Sequence, residues 1–245
     1  MKPFVITSYI LLAVLLAPRA LSFQDERTEP PNILLLFSDD AGYADFGFQG
    51  SQVMQTPKLD SLASQAMRME QAYVTAAVCG PSRAGLLTGI YQQRFGYEEN
   101  NVPGYMSESG TTGDNMGLPL DQLTMAHYLR QLGYRTGLIG KWHQGNADRF
   151  HPLRRGFDEF YGFRGGAHSF FPFGEDNPVS RPEDRLERDF AHYEEPDKYL
   201  TEVFADEAIA FMDRHQDRPF FLMLSFNAVH TPMEATADDL ALFPQ

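Results

Sequence analysis

A single cysteine opens the segment with the most distinctive chemistry. Cys79 is the only cysteine among 245 residues and lies directly before the sequence Gly-Pro-Ser-Arg at 80–83. Proline suits the first turn of a helix, so the segment predicts a helix that runs to Gly89 and has Cys79 just outside its N-terminus. Unpaired N–H groups and the helix dipole favour negative charge there. Arg83 lies about one turn along and can reach back. The spacing therefore predicts an anion-receiving position at residue 79.

The chemical state of Cys79 has several open alternatives. One thiol cannot form an internal disulfide, so Cys79 is a free thiol, a thiol linked to a partner, or a chemically altered residue. A buried, inert cysteine is a common outcome in folded proteins. A nucleophilic thiolate is another, although oxidation outside the cell would endanger it.

Ionisable side chains follow three predicted strands. In open α/β sheets, ligands bind beyond the carboxyl ends of the strands. Taken singly, each group has an ordinary explanation as a turn cap or part of a surface loop. Their convergence on one edge predicts a site with two carboxylates, an ammonium and two imidazoles. The groups are Asp39 and Asp40 after strand 32–38, Lys141 and His143 after strand 134–140, and His230 after strand 219–226.

Alternating strands and helices must position these groups. The apolar run NILLLFS at 32–38 predicts a strand buried on both faces. Periodicity and capping residues predict the other elements: helices over 57–67, 121–132 and 198–215, strands at 134–140 and 219–226, and a short strand at 72–76. This alternation predicts an α/β fold with a largely parallel central sheet flanked by helices. The charged, proline-containing stretch 175–197 predicts a solvated surface excursion.

The N-terminus and the net charge limit the classes of protein. Residues 1–22 combine Lys2, an apolar run and a small-residue cleavage site, which indicates a secretory signal peptide, with a membrane anchor as the rival reading. The mature chain, 23–245, is predicted to be one exported domain, periplasmic or secreted, with no stable membrane span. A formal charge of −13 argues against nucleic acid as a partner. An anionic substrate would therefore need local cations or a bound metal.

Several segments together resemble the type I sulfatases, which belong to the alkaline phosphatase superfamily. The stretch CGPSRAGLLTG is similar to that family's signature C-x-P-S-R-x-x-x-L-T-G, in which the cysteine is oxidised to formylglycine. NILLLFSDDAGYADFG is similar to its first metal-binding segment, GYRTGLIGKWHQG to its Gly-Lys-Trp-His segment, and FNAVHTP to its His-x-Pro segment. The resemblance covers nearly the whole mature chain. The signature positions that agree are Cys79, Pro81, Ser82, Arg83, Leu87, Thr88 and Gly89.

The resemblance implies a hydrolase that cleaves sulfate esters. Cys79, converted to formylglycine by a formylglycine-generating enzyme, would attack sulfur as its hydrate. Asp39, Asp40 and residue 79 would bind calcium. The remaining roles implied by the family are orientation of the hydrate for Arg83, sulfate binding for Lys141, proton acceptance for His143, and protonation of the leaving alcohol for His230. The aromatic, glycine-rich stretch at 162–174 fits a sulfated carbohydrate, with His168 and Ser169 as candidate substrate contacts.

The resemblance also implies that further site residues lie beyond this chain. Sulfatases carry a second metal-binding pair, usually in Asp-Asn-Gly, and a second sulfate-binding lysine in a later half, so 23–245 is expected to be an N-terminal, truncated part of the catalytic domain. Two other functions stay open: a phosphonate monoester or phosphodiester hydrolase of the same superfamily, and a non-catalytic fragment.

Overall fold

One mixed sheet carries the fold. The computed structural model describes residues 29–100, 115–173 and 184–243, so the predicted signal peptide lies outside the described residues. The spatial order of the strands is 1-6-2-3-4-5, and the first four in that order are parallel. The predicted α/β fold with a largely parallel sheet is confirmed. The strands are β1 (Ile33–Phe37), β2 (Arg135–Lys141), β3 (Glu159–Phe163), β4 (Glu187–Arg188), β5 (Ala191–His192) and β6 (Phe220–Ser225).

Helices pack on both faces of the parallel part of the sheet. One core lies between the sheet and the longest helix, where Phe204 and Phe211 meet Leu222 and Leu224. The other core lies on the opposite face and contains Trp142 among aromatic and aliphatic neighbours. Within the described residues the α-helices are α1 (Pro57–Ser64), α2 (Cys79–Thr88), α3 (Met125–Gln131), α4 (Leu200–Arg214) and α5 (Ala237–Leu240). None of these helices is long and apolar enough to cross a membrane.

Glycines mark the ends of the elements that lead to the polar edge. Gly89 and Gly133 have φ of 68° and 89° and follow α2 and α3, as the sequence predicts. Gly140, with φ 107°, comes one residue before the end of β2. A Cβ at this position would lie 1.9 Å from the carbonyl oxygen of Ser225, so only glycine lets β2 and β6 approach here. The close approach sets the position of Lys141.

Strand β1 differs from its prediction. It forms as expected, but Leu34 and Leu36 are 43% and 46% exposed, so the prediction of burial on both faces is wrong. The reason is that β1 is an edge strand paired with β6 alone in the described part of the chain. Its alternate residues Ile33, Leu35 and Phe37 pack against the core that contains Trp142.

Four other predictions need correction. Residues 72–76 are not a strand, and α1 ends at Ser64, three residues before the predicted end. Helix α3 begins only at Met125, because Thr124 is its N-cap and residues 120–121 form a turn before it. The described part of the stretch 175–197 is not simply a solvated excursion, since β4 and β5 extend the sheet and Leu186, directly before β4, is fully buried.

Candidate active site

A cavity of about 560 Å³ opens where β1 ends and α2 begins. The structure thereby brings together residues from two predicted segments that are separated by about 40 positions. Helix α2 starts at Cys79 itself, with Val78 as its N-cap, so the cysteine lies within the first turn and not just outside it. The polar residues that line the cavity are Ser38, Asp39, Asp40, Cys79, Ser82 and Arg83.

A buried ion network lies behind this cavity. Lys141 Nζ donates to Asp39 Oδ2 at 2.5 Å, and Arg83 Nη2 lies 3.3 Å from Asp39 Oδ1. The three side chains are between 0% and 3% exposed. Burial lowers the pKa of Arg83 from its usual value, while the charge and hydrogen bonding of Asp39 oppose that change. The buried network thus holds two cations against one carboxylate, and Asp40 adds a second carboxylate to the lining of the cavity.

Ser225 holds this network in place, and the sequence analysis did not identify it. Arg83 Nη1 donates to Ser225 Oγ at 2.5 Å and to the carbonyl oxygen of Lys141 at 3.1 Å. Ser225 Oγ donates in turn to the same carbonyl at 2.8 Å. Because Ser225 ends β6, its position at a strand end was the signal available in the sequence. Arg83 therefore points into the sheet edge while lining the same cavity as Cys79.

Asp40 and His230 form the exposed side of the site. His230 Nε2 lies 3.8 Å from Asp40 Oδ2, and the Asp40 side chain is 57% exposed. His230 Nδ1 donates to the carbonyl oxygen of Thr231 at 2.7 Å, so Nε2 is the ring nitrogen that faces Asp40. Asp40 has φ 56°, a left-handed conformation that costs a non-glycine residue free energy and is often found at functional sites.

His143 is buried and its backbone is strained. Its backbone φ is 55°, and the residue is only 4% exposed. The backbone N–H donates to the carbonyl oxygen of Arg164 at 3.1 Å, and the carbonyl accepts from the Tyr97 hydroxyl at 3.4 Å. A Cβ at Gly166 would lie 2.7 Å from His143 Nε2, so the ring packs directly on that glycine. These contacts fix the orientation of the imidazole.

Two amide side chains that the sequence analysis missed contact the peptide next to Cys79. Asn100 Oδ1 accepts from Gly80 N–H at 2.8 Å and lies 3.7 Å from Cys79 Sγ. Gln144 Nε2 donates to the carbonyl oxygens of Gly80, at 2.8 Å, and His143, at 2.6 Å. Gln144 directly follows His143, and this adjacency was a usable signal. Asn100 gave none, because its neighbourhood is simply polar.

His168 and Ser169 are buried in internal contacts. His168 Nδ1 donates to the carbonyl oxygen of Ser169, and its Nε2 lies 3.1 Å from Glu195 Oε1. Ser169 Oγ donates to Glu234 Oε2 at 2.9 Å. Asn227 Nδ2 donates to the carbonyl oxygen of His168 at 3.2 Å, which links this loop to the end of β6. A contact between these two side chains and a substrate stays a prediction.

The described residues do not by themselves fit a calcium ion. Calcium takes six to eight oxygen ligands, and the described part of the chain has no group of three or more histidine, cysteine, aspartate or glutamate side chains that could hold a metal. The two oxygens of Asp39 already face Lys141 and Arg83. Within this chain, Lys141 and Arg83 are the cations that neutralise the charge of Asp39.

Comparison with known proteins places the chain and its fold in one family. The family described as Sulfatase matches residues 31–244, and the chain belongs to that family. Its sheet and flanking helices are those of sulfatases with an alkaline phosphatase-like fold.

Each match with a relative includes most of this chain, but the chain spans less than half of the relative's own length. N-acetylgalactosamine-6-sulfatase of Canis lupus familiaris is 36% identical over 222 residues, which are 85% of this chain and 41% of that protein. The crystal structure of Ps i-CgsB in complex with k-i-k-neocarrahexaose is 38% identical, with a TM-score of 0.78 over 88% of this chain and 49% of that one. The structure of BT4656 in complex with its substrate D-glucosamine-2-N,6-O-disulfate is 27% identical, with a TM-score of 0.64, and covers 89% and 39%.

Proposed function

We propose that the full-length protein hydrolyses sulfate esters of a carbohydrate and uses formylglycine made from Cys79. The observation that carries this proposal is the cavity in which Cys79 meets Arg83 and Asp39, with the Lys141 ammonium bonded to that carboxylate. A net positive charge behind the cavity suits a sulfate group, although the chain as a whole is acidic. The names of the relatives support a sulfated sugar as the substrate.

The proposed reaction uses two hydroxyls on residue 79. One hydroxyl of the aldehyde hydrate releases its proton to solvent as its oxygen attacks sulfur, and the bond between sulfur and the sugar oxygen breaks as the alcohol takes a proton from His230. His143 then accepts the proton of the second hydroxyl. The bond between the residue 79 carbon and the sulfate oxygen breaks, which releases sulfate and restores the aldehyde. Arg83 orients the hydrate and Lys141 compensates sulfate charge.

Calcium and the modifying enzyme belong to this proposal as partners. Calcium is the cation that the family resemblance implies for Asp39, Asp40 and residue 79, and a site for it would need further oxygen ligands from outside the described residues. Oxidation of the thiol to the aldehyde would be done by a formylglycine-generating enzyme. Residues 1–22 would direct the protein out of the cytoplasm, and 23–245 would be the N-terminal part of the catalytic domain.

The test is the chemical state of residue 79. We expect the chain, produced together with a formylglycine-generating enzyme, to yield a peptide whose Cys79 carries an aldehyde by intact-peptide mass spectrometry. Pro81→Ala and Arg83→Ala should lower the converted fraction, because both positions belong to the signature. Leu86→Met serves as the conservative control in the same segment, because the signature leaves position 86 open. A wholly unmodified thiol under these conditions would overturn the proposal.

A substrate comparison separates sulfate from phosphorus chemistry. The converted full-length protein should turn over an aryl sulfate faster than an aryl phosphodiester or an aryl phosphonate. Faster turnover of either phosphorus ester would favour a phosphonate or phosphodiester hydrolase. Conversion without turnover of any of these esters would favour a non-catalytic role.

A further inference from the structure

The peptide group of Gly80 is held from two sides by side-chain amides. Gly80 is the second residue of α2, and the N–H groups of a first helical turn have no partner within the helix. Asn100 Oδ1 accepts this N–H at 2.8 Å. On the other side, Gln144 Nε2 donates to the Gly80 carbonyl oxygen at 2.8 Å. Gln144 is fully buried, so no water replaces that bond.

The same two amides reach the neighbours of Gly80 that the proposed chemistry uses. Asn100 Oδ1 lies 3.7 Å from Cys79 Sγ. Gln144 Nε2 also donates to the carbonyl oxygen of His143 at 2.6 Å. One side chain therefore ties the start of α2 to the backbone of His143.

We propose that Asn100 and Gln144 are positioning residues that fix residue 79 relative to His143 by clamping Gly80. The roles of residue 79 and His143 rest on the proposed function, whereas the clamp itself is a matter of geometry. Reacting groups must be held to within about 0.5 Å of their productive positions, and a side chain at the start of a helix has freedom to move unless its backbone is tied down. Neither amide needs to touch the substrate.

The absence of a side chain at residue 80 supports the clamp. A Cβ there would lie 2.9 Å from Asn100 Oδ1 and 3.5 Å from the Asn100 Cα. Asn100 thus approaches α2 more closely than any residue other than glycine would allow. Gly80→Ala should displace the Asn100 amide, and it should therefore change the position of residue 79 in the same direction as removal of that amide does.

Hydrogen exchange of the Gly80 amide tests the first half of the clamp. In the unconverted 245-residue protein, Asn100→Leu should raise the exchange rate of this single N–H by about tenfold, the ratio that one lost hydrogen bond gives. Asn100→Asp keeps an acceptor oxygen and should stay near the wild-type rate. Wild-type exchange in Asn100→Leu, or no rescue by Asn100→Asp, would contradict the role of Asn100.

Alkylation of the unconverted Cys79 by iodoacetamide tests whether the clamp positions residue 79. Asn100→Leu and Gln144→Met should each change the alkylation rate by roughly threefold or more, because the thiol loses its fixed position. Gln92→Met is the matched control. Gln92 is 1% exposed, donates through Nε2 to the Thr75 carbonyl at 3.1 Å, and packs near Gly85 towards the other end of α2.

The outcomes separate the clamp from the proposed function. Equal alkylation rates in wild type, Asn100→Leu and Gln144→Met, with the native thermal transition retained, would overturn the clamp. If the Gln92→Met control changes the rate as much as Gln144→Met does, the effect is general loosening and the clamp is again overturned. Mass spectrometry of residue 79 reports on the proposed function alone, so an unconverted thiol contradicts that function and leaves the clamp results standing.

Discussion

Two neighbouring aspartates at the end of β1 differ in almost every physical respect. Asp39 is buried between Lys141 and Arg83, whereas Asp40 is largely exposed and faces His230. Removal of one partner from a buried ion network leaves an uncompensated charge, which is far more costly than loss of a surface pair. The two residues therefore offer an internal comparison.

We expect Asp39→Asn to lower the free energy of unfolding by about 3–5 kcal/mol, because Lys141 and Arg83 lose their buried counter-charge. Asp40→Asn should cost at most about 1 kcal/mol, as exposed pairs do. Urea unfolding of both variants beside the wild type measures the difference. Equal losses would show that the carboxylate of Asp39 is not what compensates the two cations.

Lys141 and His143 should act at different steps of the proposed reaction. In the converted full-length protein, Lys141→Ala removes charge compensation and should slow attack on sulfur. His143→Ala should spare that attack and trap the sulfated form of residue 79. Rapid-quench measurement of the alcohol released in the first turnover distinguishes the two. Bursts of equal size and rate in both variants would contradict the assigned roles.

At the scale of the element, helix α3 begins with a capping arrangement that contains a histidine. Thr124 is the N-cap, and its backbone N–H donates to His127 Nδ1 at 3.1 Å. Burial, and then the charges of Arg155 and Arg130, lower the pKa of His127 from its usual 6.5. The lowered pKa favours the neutral ring in the folded protein, where Nδ1 accepts the Thr124 N–H. Below pH 6.5, His127 binds a proton more readily in the unfolded chain than in the folded chain.

We expect this contribution to stability to be complete above pH 6.5 and to be lost as the pH falls below it. His127→Gln keeps an acceptor at the third helical position but does not titrate. Urea unfolding measures the free energy of unfolding at about pH 7.5 and at about pH 5. The decrease between these two pH values should be smaller for His127→Gln than for the wild type, by up to about 1 kcal/mol, which is the contribution of one helix cap. An identical loss in both proteins would show that protonation of His127 does not weaken α3.

At the scale of the whole molecule, apolar surface surrounds the outer face of β1. Leu36 is 46% exposed and Met67 is 88% exposed. Both line a groove of about 420 Å³ between β1, α1 and the residues that follow α1. Contiguous apolar surface of this kind promotes association in water.

We expect the 245-residue chain to self-associate as its concentration rises, and the double variant Leu36→Thr, Met67→Lys to reduce that association. Sedimentation velocity over a concentration series measures it. Leu132→Lys replaces a side chain that is 71% exposed, directly follows α3 and does not line the groove, and it is the control. Equal association of the wild type and the double variant would show that the groove is not the surface involved.

The sequence by itself determined the class of the fold and predicted which polar strand ends share one edge of the sheet. Apolar runs that end in ionisable residues are local features, and parallel strands must deliver their carboxyl ends to one edge. For this reason Asp39, Lys141 and the region of His230 could be assigned to one site before the structure was known. Gly89 and Gly133 could likewise be recognised as helix ends, because their conformation is a local property.

Only the tertiary structure decided which groups are paired and which are exposed. The exposure of Leu34, the contact of Arg83 with Ser225, and the amides of Asn100 and Gln144 on Gly80 all depend on partners distant in sequence. Hydrophobic periodicity records which side of an element is apolar, but it does not record whether another element covers that side. A hydrogen bond between distant side chains leaves no periodic trace, so the network behind Cys79 became visible only when the sheet had brought its strand ends together.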